Sequence, residues 1–343
     1  MLEKPIKKGE IDNSRLSVAP MMDWTDRHCR FFHRLLSRHS LLYTEMVTAP
    51  ALVRGGALHL LRHDPAEQPV ALQLGGSDAG ELAQAAALGW QAGYREINLN
   101  CGCPSDRVQS GSFGAVLMEH PALVGDICAA MIAASPAEVT VKCRIGVDAQ
   151  VPEEILPAFL ETLSQAGVRR VIIHARKAWL QGLSPKDNRE IPPLDYPLVL
   201  AMKAAFPQMH ISINGGVTSL AQAAGLLDQG LDGVMIGRAA YQRPADLLQD
   251  ADRIVFGDMS GGRDPFEAVQ AMRPYIQREL SEGVRLASIT RHMLGLFAGK
   301  PGARVWRRLL SENAHRAGAG TEVLDMALDA VHAAAVPEPQ QQS

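Results

Sequence analysis

Glu96-Ile97-Asn98-Leu99-Asn100-Cys101-Gly102-Cys103-Pro104-Ser105 is the stretch on which the fold reading turns. Ile97 and Leu99 alternate with polar residues at a period of two, the spacing of a β-strand. The strand stops abruptly at Cys-Gly-Cys-Pro, because Gly and Pro interrupt regular structure. Two Asn and two Cys therefore crowd the C-terminal tip of one strand. Cys103 is the candidate reactive group. A free thiol titrates near about 8.5 and carries its proton at neutral pH, so it can donate a proton as well as attack. A buried structural thiol is the competing reading, since free cysteines are commonly buried.

Outward from this strand, short apolar runs recur with amphipathic stretches between them. Strands are predicted at residues 16–20, 41–47, 70–74, 96–100, 139–143, 171–174, 210–213 and 233–236. Helices are predicted at 26–38, 78–91, 121–134, 152–165 and 219–229. Strand–helix alternation with strands apolar on both faces argues a parallel sheet with helices outside. Eight such units fit an α/β fold, a closed (β/α)₈ TIM barrel, over residues 15–256. A doubly wound open sheet is the structural rival. It usually carries a Gly-rich turn after its first strand, and Ala19-Pro20-Met21-Met22-Asp23 is no such turn.

Polar or unusual residues follow every predicted strand: Met21 and Met22, Glu45, Gln73, Asn98 with Asn100, Lys142 with Arg144, His174 with Arg176, Asn214, and Arg238. In a barrel these converge on one face, the catalytic one. Two of the ends carry a phosphate signal. Asn214-Gly215-Gly216 follows the seventh strand, and Gly237-Arg238 follows the eighth and opens a helix. Glycines let the backbone approach an anion, and a helix N-terminus offers free N–H groups to it. Arg238 adds a charge-assisted contact. Lys142 and His174 are placed to polarise a cofactor ring carbonyl or to hold a ribityl chain. The plainer reading of Lys142 is an interior ion pair, with Glu45 as the partner.

The 343 residues are 47% hydrophobic and 21% charged, an ordinary globular composition. Met1 to Asn13 is polar, without an apolar signal core, and is read as a leader over residues 1–14. No run is apolar enough to cross a membrane. Five cysteines without a signal peptide suggest a reducing, cytoplasmic setting rather than a disulfide framework. No second Cys/His pair stands at zinc-type spacing, so no metal is expected. Nothing calls for an obligate protein partner. Residues 176–197 lack periodicity but contain Trp179, Leu180, Lys177, Lys186 and Arg189, which favours a substrate-contacting loop over a plain insertion.

Past Tyr241 the strand pattern ends. Helices are predicted near residues 265–280, 285–296, 301–314 and 321–335, forming a small all-helical domain over 263–335, with a disordered tail at 336–343. Between Arg263 and Arg316 ten Lys/Arg face five acids, a net of +5. With −3 overall, the remainder carries −8. Pro301 suits a first helical turn, and Arg304, Arg307 and Arg308 fall on one face of that helix. A solvated basic face is the plain reading, and a footprint for a phosphate backbone is the sharper one. Beside a phosphate-binding barrel the sharper one is preferred.

These motifs, in this order and spacing, resemble the tRNA-dihydrouridine synthases, in particular their A subfamily. The resemblance runs from about Arg15 to about Asn313. It rests on Ala19-Pro20-Met21-Met22-Asp23-Trp24-Thr25-Asp26, Leu72-Gln73-Leu74-Gly75, Asn98 through Ser105, Val141-Lys142-Cys143-Arg144, Ile173-His174-Ala175-Arg176, Asn214-Gly215-Gly216 and Ile236-Gly237-Arg238. The A subfamily is suggested by Lys177-Ala178-Trp179, by Ser184-Pro185-Lys186 and by Arg304 and Arg307.

The resemblance implies FMN in the barrel mouth. Pro20, Met21 and Met22 line the flavin, Gln73, Lys142 and His174 contact it, and Asn214, Gly215, Gly216, Gly237 and Arg238 hold its phosphate. It implies NADPH as reductant and a tRNA partner held at the D-loop and elbow. A D-loop uridine around position 20/20a is reduced at C5=C6, with Cys103 as proton donor to C5, because Cys103 rather than Cys101 aligns with the family's Cys-Pro. Asn100 orients the base, and Lys186, Arg189, Arg304 and Arg307 contact tRNA. Three rivals stand: a flavin dehydrogenase for a free pyrimidine such as dihydroorotate, a non-redox enzyme acting on a sugar phosphate, and an RNA-binding protein without catalysis. The sequence assigns no role to Arg144.

Overall fold

The computed structural model describes residues 11–105 and 112–335. Most of the expected leader and the whole expected tail lie outside the described residues. Eight strands, β1 (Leu16–Val18), β2 (Leu41–Thr48), β3 (Val70–Gly75), β4 (Glu96–Cys101), β5 (Glu138–Arg144), β6 (Arg170–His174), β7 (His210–Asn214) and β8 (Gly233–Ile236), form one closed barrel. Every strand pairs in parallel with the next, and β8 returns to β1. Around it lie α1 (Arg27–Leu36), α2 (Ala49–Val53), α3 (Ala79–Gln91), α4 (Pro121–Ala134), α5 (Pro152–Gln165), α6 (Tyr196–Ala205), α7 (Leu220–Asp228), α8 (Arg238–Gln242) and α9 (Ala251–Phe256). The last elements are α10 (Pro265–Ser281), α11 (Leu286–Thr290), α12 (Ala303–Asn313) and α13 (Glu322–Ala335).

The helices begin where side chains satisfy free backbone N–H groups. Asp26 accepts from His28 and Cys29 to start α1, Asp78 caps α3, Ser219 caps α7 and Asp264 caps α10. The strands alternate. Ile97, Leu99 and Cys101, with Val139, Val141 and Cys143, join the apolar layer between barrel and helices. The alternate residues point inward, and here the expectation of strands apolar on both faces fails. The interior is mixed: Leu41, Tyr43, Ala71, Ile172 and Met235 belong to a small apolar cluster, whereas Glu96, Asn98, Thr140 and Arg170 are buried polar residues. Glu96 accepts from the Tyr43 hydroxyl at 2.6 Å and the Thr140 hydroxyl at 2.8 Å, and it pairs with Arg170. Arg170 also reaches Glu138 at 2.8 Å. Buried polar groups are tolerated because they are paired in this way.

Three boundaries differ from expectation. The first strand ends at Val18 rather than at residue 20, since Pro20 has no N–H to continue the ladder. The helix expected at 285–296 is α11 followed by a tight turn at Arg291–Met293, where Arg291 and His292 turn to Asp26 at 2.7 and 3.0 Å. Pro301 lies before α12, not in its first turn. Gly302 caps that helix at φ +81° and leaves only 2.8 Å between its would-be Cβ and the Val331 Cα of α13. A side chain there would both strain the backbone and part the two helices.

The C-terminal helices pack on α1. The Tyr275 ring stacks on Phe31 with centroids 4.0 Å apart, and its hydroxyl lies 2.7 Å from His28 Nδ1. Ion pairs Arg27–Glu279, Arg62–Glu282, Arg278–Asp64 and Arg291–Asp26 span the same junction.

Candidate functional site

At the C-terminal end of β4 the chain leaves the barrel as a held loop. The Asn100 carboxamide oxygen accepts from Gly102 N–H and Cys103 N–H, both at 3.0 Å, and its Nδ2 donates to Gln73 Oε1 at 2.9 Å. Such side-chain-to-backbone bonds are how Asn shapes a turn. The buried Arg144 fixes the loop from the other side. Its Nε donates to Gly102 O at 3.0 Å, and its Nη1 donates to Lys177 O at 3.0 Å and Asn188 O at 2.8 Å. Arg144 therefore ties the cysteine loop to the loop after β6, a place the sequence reading left blank. The Cys103 thiol faces Ser105 Oγ at 3.5 Å and is half-buried, whereas Cys29, Cys101, Cys128 and Cys143 are buried. All five cysteines are free. Burial pushes the Cys101 thiol well above its ordinary range.

Around the rim, β5 and β6 bring Lys142 and His174 inward. No hydrogen bond or ion pair to Lys142 is found among the described residues, and the expected Glu45 partner instead accepts from the Asp23 N–H. Burial, and then the charge of Arg144, bring the Lys142 ammonium down to about 8. Burial, followed by the charges of Arg144 and Lys142, holds His174 well below the usual imidazole range, so its ring is neutral. Gln73 is buried and gives one amide N–H to Asn98. Pro20 and Met21 are half-buried at the end of β1, and Met22 is 54% exposed.

At β7 and β8, Asn214 donates to Met235 O at 2.8 Å, tying the two strand ends together. Gly215 and Gly216 have φ of +114° and +71°. A Cβ on Gly215 would come within 2.7 Å of His174, so the glycine lets the backbone close against that ring. Gly237 precedes α8, whose first N–H groups have no side-chain cap. Arg238 is not free over these groups: it pairs with Glu190 at 2.6 Å. Both partners are substantially exposed, and exposed pairs exchange at little cost.

The loop read at residues 176–197 follows β6 and runs into α6 at Tyr196. The buried Asn188 accepts from Trp179 N–H at 2.7 Å and donates to Trp179 O at 2.8 Å, and a short turn spans Asp187–Arg189. The loop presents Lys186 and Arg189 outward, both exposed. Arg304 and Arg307 lie on the exposed face of α12, with Lys300 in the same shallow groove and Trp306 buried beneath. Gln73, Asn100, Cys103, Lys142, His174, Asn214, Gly215, Gly216, Gly237 and Arg238 thus stand at the strand-end rim, while Arg304 and Arg307 stand apart from it on α12. Asn188, Glu96 and Thr140 were missed as parts of this arrangement, and Arg144 was placed at the rim without a role. Glu96 and Thr140 sit two residues from Asn98 and Lys142, so the period-two alternation carried the signal.

The rim's donor set fits a flavin nucleotide. It offers a half-buried ammonium without a side-chain partner among the described residues, a neutral imidazole, an amide, uncapped helix N–H groups and two left-handed glycines, which suit an electron-accepting ring and an anionic phosphate. A parallel barrel with such a rim and a held thiol defines a (β/α)₈ enzyme whose ligands lie across the strand ends. The family model described as Dihydrouridine synthase (Dus) matches residues 17–333. The chain is 58% identical over 320 residues to the tRNA-dihydrouridine(20/20a) synthase of Escherichia coli strain K12, covering 93% of this chain and 92% of that one. It is 56% identical to the protein of that name from Vibrio cholerae (92% and 95% covered) and 54% identical to that from Yersinia pestis (94% and 93%). The chain belongs to the dihydrouridine synthase family. In fold it is similar to an old yellow enzyme homologue from Zymomonas mobilis, with a TM-score of 0.51 and 13% identity over 74% of this chain and 91% of that one.

Proposed function

We propose that this chain reduces the C5=C6 bond of uridine in the D-loop of tRNA, around position 20/20a, to dihydrouridine, in the cytoplasm. The observation that carries the reading is the half-buried Cys103 thiol, on a loop whose backbone is held by Asn100 and Arg144, at the rim that bears Lys142. Bound at this rim, FMN would supply the hydride for C6 of the uracil, with NADPH as its reductant. Pro20, Met21 and Met22 line its ring, and Gln73, Lys142 and His174 contact it. Asn214, Gly215, Gly216, Gly237 and Arg238 hold its phosphate, Arg238 after leaving Glu190.

Cys103 gives its proton to C5 as general acid from the opposite face. The Asn100 amide has one N–H left beyond Gln73, and this N–H orients the base. Extrusion of the uridine is required, because its C5=C6 edge is hidden inside folded RNA. Lys186 and Arg189 on the 176–197 loop contact the tRNA beside the site. Arg304 and Arg307 contact its backbone from the helical domain at residues 263–335. A free-pyrimidine reductase has no use for these exposed cations, and family membership sets that rival aside.

The test is a visible spectrum of the purified protein, followed anaerobically by NADPH and then unmodified tRNA. Flavin bands that bleach with NADPH and return only with tRNA support the reading. A flavin reoxidised by a free pyrimidine but not by tRNA overturns it.

A further inference from the structure

The geometry points to a directional relay of hydrogen bonds through the barrel interior, in which Thr140 and Asn98 act as positioning residues for the Cys103 loop. A carboxamide has two orientations of nearly equal shape, and only its partners choose between them. The choice begins at Glu96, whose carboxylate is held by Arg170 and accepts from Tyr43 and Thr140. Because Thr140 spends its proton on Glu96, its oxygen presents a lone pair to Asn98, which answers with Nδ2 at 2.9 Å. Asn98 Oδ1 must then face Gln73, which donates from Nε2 at 2.8 Å. Gln73 Oε1 is left for Asn100 Nδ2 at 2.9 Å. This turns Asn100 Oδ1 to the loop, where it accepts from Gly102 and Cys103 at 3.0 Å.

Reversing any amide sets N–H against N–H or oxygen against oxygen at the next link. With Asn100 reversed, its NH₂ would oppose two backbone N–H groups and the loop would be released. The ion pair deep in the barrel therefore sets the orientation of the amide that holds the thiol at the mouth, across the rows of β3, β4 and β5. The proposal rests on the reading of Cys103 as the reacting thiol only for its catalytic consequence. The loop geometry stands apart from it.

Thr140→Val removes the hydroxyl while keeping the branched shape, and Thr140→Ser keeps the hydroxyl. The first readout is the rate of iodoacetamide labelling at Cys103 in the flavin-loaded protein without tRNA, mapped by mass spectrometry. The relay predicts labelling about fivefold faster or more in Thr140→Val, with Thr140→Ser within about twofold of the parent. The second is the split between half-reactions: flavin reduction by NADPH stays within about twofold, while reoxidation by tRNA slows about tenfold or more in Thr140→Val alone. Unchanged labelling in Thr140→Val overturns the relay, and so does a Thr140→Ser that behaves like the valine variant. Thr140→Ala is read in the same way if the valine variant does not fold. A parent enzyme whose flavin ignores tRNA removes the proposed function, yet the labelling comparison still decides the relay.

Discussion

At the scale of single residues, the proposed function divides the chemistry between two side chains. Cys103 is placed by its own backbone: Asn100 holds its N–H, and Ala115 N–H donates to its carbonyl at 2.9 Å. Cys103→Ala is expected to keep flavin and its reduction by NADPH but to lose about 10²–10⁴-fold in dihydrouridine formation, as loss of a general acid does. Single-turnover measurement of the two half-reactions checks it, and normal turnover would sink the proton-donor role. Lys142 is a half-buried cation with no ion pair among the described residues, brought down to about 8 by burial and by Arg144. Below that pH it is protonated and available to a carbonyl oxygen of the flavin ring; above it the charge is lost. Flavin affinity of the apoprotein is therefore predicted to fall as pH rises through about 8 to 9. In Lys142→Met it should be weaker and lack that dependence. Equilibrium titration with FMN across the range reads both effects.

At the scale of elements, the loops do the positioning and the strands supply the residues. Arg144 joins the β4 loop to the β6 loop through three carbonyls, a geometry that needs a planar fork rather than a point charge. That role was illegible in the sequence, because Gly102, Lys177 and Asn188 come together only through the fold. The strands themselves were legible: Ile97 and Leu99, Val139 and Val141, and Val171 and Ile173 declare their spacing directly. Pro301 misled, because Gly302 beside it holds a left-handed cap that helical periodicity does not report. On α12, Arg304 and Arg307 are exposed, with no ion pair among the described residues. Their joint replacement by Ala is predicted to weaken tRNA binding and to reduce the slope of log affinity against log salt by about 1.4–1.8, one released counterion for each lost phosphate contact. An unchanged slope, measured by binding at several salt concentrations, would argue that neither side chain meets a phosphate.

At the scale of the whole molecule, the barrel and the C-terminal helices are joined by charges on α1 and its neighbours. Burial works against the Asp26 carboxylate, but His292, the Cys29 N–H and Arg291 together hold it well below the usual range. A carboxylate depressed in the folded state adds stability above its unfolded pKa, near about 3.9, and that stability is lost as pH falls through and below it. Thermal unfolding from pH 6 to pH 3 should show this loss in the parent and a flatter profile in Asp26→Asn. The closed barrel was readable from alternation, but the pairing of its interior charges was not. Arg170 and Glu96 meet only when β4 and β6 flank β5, seventy-four positions apart in sequence. The direct measurement is to react the purified protein with unmodified tRNA and NADPH and map dihydrouridine along the tRNA by mass spectrometry. The expected result is dihydrouridine at position 20 or 20a in the D-loop, formed about 10²–10⁴-fold more slowly with Cys103→Ala. Dihydrouridine absent from the D-loop, or formed equally well without the thiol, would contradict it.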